Sequence, residues 1–255
     1  MPCSNSDGIN LHYLTRGNGP DAIVFIHGFC QSSLFWETTL DLLPDRFCGY
    51  ALDLPGFGDS SKSEGSYSIP ELADDVLSFA DSKGLERFIL AGNSMGGVVS
   101  QSFAARFGNR LDKLVLVSTG ANVATPDAAL EKADFMDQME WARGFFETAV
   151  KGFFAELPNN WERYVEGAMK ANRQAMVQCT RSSASLNLLE DDRSIRVPTL
   201  IVQGEKDAGR TPEDGRRLQE AISDSVLHIL PGSGHTPMLE RPDLFNPIFL
   251  EFIER

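Results

Sequence analysis

The stretch that most constrains this chain is Phe88-Ile89-Leu90-Ala91-Gly92-Asn93-Ser94-Met95-Gly96-Gly97-Val98-Val99-Ser100. Its first four residues are an apolar run of the length of a buried strand. From Val98 on, Val98, Val99, Phe103 and Phe107 recur at helical spacing. Between the two lies Gly-Asn-Ser-Met-Gly, a match to G-x-S-x-G. A serine on a sharp strand-to-helix turn sits in strained backbone geometry, its hydroxyl thrust out above the sheet edge. Gly92 and Gly96 let strand and helix approach closely around that turn, and Gly97 extends the clearance. The Met95 amide then lies at a helix N-terminus without an intrahelical acceptor, available to an oxyanion. Five residues with two glycines also match by chance. The strand before and the helix after are what make the match a nucleophile elbow.

Other apolar runs repeat the strand half of this pattern. Residues 22–26, 49–52, 113–117, 198–202 and 226–230 are short and apolar, as strands buried on both faces are. Residues 9–16 alternate in part and read as a half-exposed strand, with His12 on it. Helical signals fall between. Ser68-Ile69-Pro70-Glu71 has the form of a capping box, opening a helix that should run to Lys83 and stop at Gly84. Residues 34–43 and the segment after Thr211-Pro212-Glu213-Asp214 are helical too. A last helix over 241–255 contains Pro247, which should bend it or shift its start. Strands alternating with helices predict an α/β protein with a mostly parallel sheet. Only residues 121–196 break the rhythm, with helical patterning and many large apolar side chains. They read as a helical cap inserted into a core made of 1–120 and 197–255, and Phe135, Met139, Trp141, Phe145 and Phe146 are the aromatics and thioether expected to face substrate.

Charge and cysteine usage narrow the partners. With 36 acidic against 23 basic residues the net charge is −13. That argues against nucleic acid, which needs a basic face, and against an anionic membrane surface. A neutral small-molecule substrate is expected, unless a local basic pocket overrides the overall charge. Residues 1–8 are polar, with no leader expected, and no apolar run reaches membrane-span length. The four cysteines are scattered without CxxC spacing and the histidines without HxxxH, so reduced thiols, a cytoplasmic location and no metal or cofactor are expected. The oligomeric state stays open.

A serine hydroxyl needs a base, and the base needs a third group to hold it. His235, in Gly232-Ser233-Gly234-His235 just past the last strand, is the base the sequence offers. Asp207, in Gly204-Glu205-Lys206-Asp207 after strand 199–203, is the acid, with Glu205 as a rival. Both loops follow strand C-termini, the edge where open α/β sheets gather functional groups. The second oxyanion donor should follow strand 22–26, where His27-Gly28-Phe29 offers the Phe29 amide beside that of Met95. His27 then braces that loop.

These residues resemble the α/β-hydrolase superfamily in its cap-bearing branch. The resemblance rests on His27-Gly28-Phe29, Asp53-Leu54-Pro55-Gly56-Phe57-Gly58-Asp59-Ser60, Gly92-Asn93-Ser94-Met95-Gly96-Gly97, Gly204-Glu205-Lys206-Asp207, Gly234-His235 and Glu240-Arg241-Pro242. It implies an eight-stranded sheet with the second strand antiparallel, a Ser94–His235–Asp207 triad and no cofactor. The activity it implies is hydrolysis of a small, largely apolar carboxylic ester through an acyl-enzyme. Cleavage of carbon–carbon bonds in ring-fission products, lactone hydrolysis and perhydrolysis use the same triad. A ligand receptor with a vestigial triad is the alternative from outside enzymology.

Overall fold

The apolar runs become strands. In the computed structural model, which describes residues 3–6, 9–62, 65–121 and 126–255, they are β1 (Cys3–Ser6), β2 (Ile9–Arg16), β3 (Asp21–Ile26), β4 (Phe47–Leu52), β5 (Phe88–Asn93), β6 (Leu111–Val117), β7 (Thr199–Gly204) and β8 (Ser225–Leu230). The helices up to the elbow and just after it are α1 (Glu37–Leu40), α2 (Ile69–Ser82) and α3 (Met95–Phe107). Five more, α4 (Pro126–Gln138), α5 (Arg143–Lys151), α6 (Glu162–Ala168), α7 (Arg173–Ser185) and α8 (Leu188–Ser194), lie between β6 and β7. The chain ends with α9 (Pro212–Ala221), α10 (Pro237–Glu240) and α11 (Pro242–Glu254). Residues 1–2 and 7–8 of the polar N-terminal stretch, and 122–125 at the start of the helical segment, lie outside the described residues.

The strands form one sheet in the order β1-β2-β4-β3-β5-β6-β7-β8. β2 runs antiparallel to both its neighbours, and every pairing from β4 to β8 is parallel. β5 and β7 are buried at every residue, as strands covered on both faces should be. The antiparallel second strand is as expected from the sequence, and the parallel strands deliver the loops after β3, β5, β7 and β8 to a single edge.

Local signals place the helices. The Ser68 side chain accepts from the Glu71 amide and the Glu71 carboxylate from the Ser68 amide, so α2 opens on a capping box. It closes at Gly84, whose φ of 67° favours glycine. Pro247 lies inside α11, whose start at Pro242 is separated from α10 by Arg241 alone; the proline is absorbed within the helix. Among the described residues no helix is long and apolar enough to cross a membrane.

The first long strand departs from expectation. β2 is not a sheet edge, because β1 pairs along its outer side. Leu11, His12 and Tyr13 are buried in consequence. His12, expected on a half-exposed strand, instead donates from Nδ1 to Asp53 Oδ2 at 2.8 Å. The turn 53–60 folds back over it: Asp53 Oδ1 accepts from the Ser33 amide at 2.6 Å and Oδ2 from the Asp59 amide at 2.9 Å. Burial alone would raise the Asp53 pKa, but these donors, with His27 nearby, hold it below the usual carboxylate value.

Candidate active site

Ser94 stands at the junction of β5 and α3 with φ 54° and ψ −115°, a conformation unfavourable for any residue with a Cβ. The surrounding glycines leave no room for substitution. A Cβ on Gly92 would lie 2.3 Å from the Gly96 carbonyl oxygen, and one on Gly96 would lie 2.4 Å from that of Ile26. α3 thus begins directly against the end of β3, which strands bearing larger residues would prevent. The Ser94 amide donates to the Val117 carbonyl at 2.9 Å, and its own carbonyl accepts from Thr119 Oγ1 at 2.9 Å. The strain is held by β6 on one side and by the helix on the other.

The loop after β3 passes beside the serine, since a Cβ on Gly28 would come within 3.0 Å of Ser94 Cβ. His27 holds the loop. Its Nδ1 donates to the Gly28 carbonyl at 2.8 Å and its Nε2 accepts from the Leu54 amide at 3.1 Å. Burial lowers its pKa, with Asp53 and the Gly28 carbonyl opposing, so the ring is suited to this neutral, bridging state. Gln31 Oε1 accepts from the Gly28 amide at 2.6 Å. The next residues are Phe29 and Cys30, the latter at φ 58° and fully buried. Burial pushes the Cys30 thiol up to about 12, against the opposing charge of Lys132. It is a packing residue rather than a thiolate.

His235 Nδ1 donates to Asp207 Oδ2 at 2.7 Å, with both residues buried. The other carboxylate oxygen, Oδ1, accepts from the Gly209 and Arg210 amides, each at 2.9 Å. One oxygen is therefore fixed by the backbone and the other committed to the imidazole. Glu205, the rival acid, turns away and accepts from the Gly232 amide at 2.9 Å. The histidine loop is fastened on several sides. Its amide donates to the Phe153 carbonyl at 2.8 Å, and Asn93 Nδ2 bridges the His235 and Val117 carbonyls at 3.2 and 3.1 Å. The Glu240 carboxylate accepts from the amides of Gly234, Thr236 and Ala155.

Ser94, Asp207, His235, Phe29 and Met95 all line one cavity of about 440 Å³. A serine on a strained turn lining the cavity, an imidazole oriented by a buried carboxylate and a helix N-terminus at the same cavity can together carry acyl transfer. Residues 23–248 match the alpha/beta hydrolase family. The chain is an α/β-hydrolase. Over 244 residues it is 25% identical to 3-oxoadipate enol-lactonase 2 of Acinetobacter baylyi, covering 93% of this chain and 91% of that one. Over 259 residues it is 28% identical to a pimeloyl-[acyl-carrier protein] methyl ester esterase of Chromobacterium violaceum, covering 96% and 99%. Among solved structures it resembles the enol-lactonase from Burkholderia xenovorans LB400, with a TM-score of 0.92, 24% identity and full coverage of both chains.

The walls of the hydrolase's cavity come from unexpected residues. Phe135 is 66% exposed. Trp141, Phe145 and Phe146 meet in tilted and edge-on contacts with ring centroids 5.2–5.7 Å apart, and Trp141 Nε1 donates to the Met136 carbonyl at 2.7 Å. Met139 packs with Trp141 and Phe145 against Met136 and Val177. None of the five is part of the cavity lining. The helical segment contributes mainly small side chains instead, among them Ala128, Ala129, Ala149 and Gly152, together with Phe153 and Lys132. Away from the cavity, His12, Asp53 and Asp59 bring possible metal-ligand atoms within 4.8 Å of one another. His12 Nδ1 and Asp53 Oδ2 are already bonded to each other, and the Asp59 carboxylate pairs with Lys170 at 2.8 Å.

Proposed function

We propose that this α/β-hydrolase is a serine esterase of small carboxylic esters, cyclic esters included. Ser94 Oγ attacks the carbonyl, and His235 Nε2 takes its proton and returns it to the leaving alcohol. A water activated by the same nitrogen then releases the acid from the acyl-enzyme. Asp207 keeps the His235 proton on Nδ1 and stabilises the ring when it is charged. The amides of Phe29 and Met95 receive the oxyanion, each such donor accounting for about 10²–10³ in rate where it has been removed from related chemistry. Residues 121–196 act as a cap that shapes the acyl and alcohol pocket, and the free thiols of Cys30, Cys48 and Cys179 support a cytoplasmic, reducing location.

The observation that carries this reading is the strained Ser94 turn opening on the same cavity as the 2.7 Å His235–Asp207 pair. Backbone strain of that kind persists only where surrounding structure enforces it. The purified protein should hydrolyse short-chain aryl esters and be labelled at Ser94 by a fluorophosphonate. Ser94→Ala should remain folded, lose the label, and lose about three or more decades of kcat. Near-wild-type turnover by that variant would remove Ser94 from the chemistry. A receptor with a vestigial triad would bind without measurable turnover in the wild type.

A further inference from the structure

We propose that the cavity over Ser94 is built for an ester carrying a carboxylate on a short chain, with Lys132 as its anchor and Arg210 beside it. This deepens the serine-esterase reading by naming the chemical class of its substrate. In a chain of net charge −13, a cavity wall with two cations is unexpected. Arginines elsewhere on the surface pair readily with acids, as Arg16 does with Asp41 and Arg163 with Glu37. Lys132, projecting from α4 onto the cavity, has no carboxylate within ion-pair distance among the described residues. Its ammonium lies 5.1 Å from the centroid of the Phe29 ring instead.

The cavity supplies no internal counter-charge for it. The one acidic residue of the described lining is Asp207, and both its oxygens are committed, to His235 and to the Gly209 and Arg210 amides. Arg210 is drawn electrostatically toward Asp207 and Asp214. Lys132 is an exposed residue. Partial desolvation against the cavity wall lowers its pKa, the neighbouring Cys30 thiol opposing and Arg210 adding to the effect. A carboxylate docking beside Lys132 gives its ammonium the partner that no carboxylate among the described residues provides, and favours its charged form.

The cavity also bounds the length of the substrate. Gly28 borders Ser94, and the ring of the next residue, Phe29, carries the Lys132 ammonium. Ser94 and Lys132 line the same cavity of about 440 Å³, so an ester that meets both is short. A half-ester of a short dicarboxylic acid fits that description, and the small residues Ala128, Ala129 and Ala149 leave room for its methylenes.

The test compares monoethyl glutarate with ethyl pentanoate, two ethyl esters of similar length that differ in a terminal carboxylate, using proton release at constant pH. Wild-type kcat/KM should favour the glutarate ester. In Lys132→Gln the ratio between the two substrates should fall about tenfold or more, chiefly through KM, and Lys132→Arg should recover it. Added sodium chloride should narrow the wild-type preference. An equal ratio in wild type and Lys132→Gln would overturn the proposal. Binding of glutarate to Ser94→Ala, measured by calorimetry, separates this proposal from the esterase reading. Should neither ester be turned over, the esterase reading fails, and glutarate binding still decides the anion site. It should weaken about tenfold or more when Lys132→Gln is added to Ser94→Ala, and equal affinity in the two proteins would overturn the site.

Discussion

Asp207 and Glu205 lie two residues apart in one turn, and only Asp207 touches His235. In Asp207→Asn the side-chain oxygen can keep its two backbone donors, Gly209 and Arg210. That leaves the amide NH₂ facing Nδ1 of the histidine. Nδ1 must then accept, the ring proton moves to Nε2, and the base has no lone pair for Ser94. The expected loss in kcat is about four decades, with the fold intact. Glu205→Gln should cost little, because among the described residues its carboxylate accepts only from the Gly232 amide. Steady-state kinetics on one aryl ester rank the two variants, and the reverse ranking would move the acid to Glu205. Asn93 is a residue whose part could not be read from sequence. It occupies the free position of G-x-S-x-G, where any residue satisfies the pattern, and only the structure places its amide between β6 and the His235 carbonyl.

At the scale of elements, the grouping of Ser94, Asp207 and His235 at one sheet edge was legible and the lining of the cavity was not. Each of the three sits in a short loop after a strand, and the glycines around it mark where backbone meets backbone. That signal survives in sequence because Gly92, Gly96 and Gly204 have no alternative. The pocket lacks such a signal. Helical periodicity separates buried from exposed faces but does not say which buried face adjoins a cavity. Bulk misleads further: Trp141, Phe145 and Phe146 fill space against one another, whereas a cavity exists where side chains are small, at Ala128, Ala129, Ala149 and Gly152. The contact between β7 and the histidine loop yields a prediction at this scale. A Cβ on Gly204 would lie 1.9 Å from the Gly234 carbonyl oxygen and 2.6 Å from that of Ser233, both backbone atoms. Gly204→Ala must displace the loop that carries His235, and misplacements of about 1 Å can cost about 10²-fold in rate. We expect kcat to fall by about that factor, with a lowered melting temperature from overpacking. Gly144→Ala, whose added Cβ meets nothing within 4 Å, should leave both close to wild type.

At the scale of the molecule, sheet and helical segment share one core. Phe146, Val150, Tyr164, Val165, Met176 and Leu188 belong to the same buried apolar cluster as β3, β5 and β7. Asp192 sits in this interior, on α8 where it packs between α3 and α9. It is fully buried, and neither carboxylate oxygen has a hydrogen-bond partner among the described residues. Burial, with Asp191 adding to it, pushes its pKa up to about 8. The folded state therefore holds this proton over a range in which the unfolded chain, with an ordinary aspartate near 3.9, has released it. Because the unfolded state binds fewer protons there, stability falls as pH rises, by about 1.4 kcal/mol per pH unit at most. The contribution is complete below about pH 4, declines from there to about pH 8, and is constant above. Asp192→Asn has no proton to lose and escapes that decline. Other carboxylates titrate alike in both proteins, Asp53 included, whose depressed pKa makes its own contribution vanish only in acid. The difference in melting temperature between Asp192→Asn and wild type thus isolates Asp192. It should grow in favour of the variant from pH 5 to pH 8 and level off by pH 9. A difference that stays constant across that range would mean that Asp192 keeps the same charge folded and unfolded.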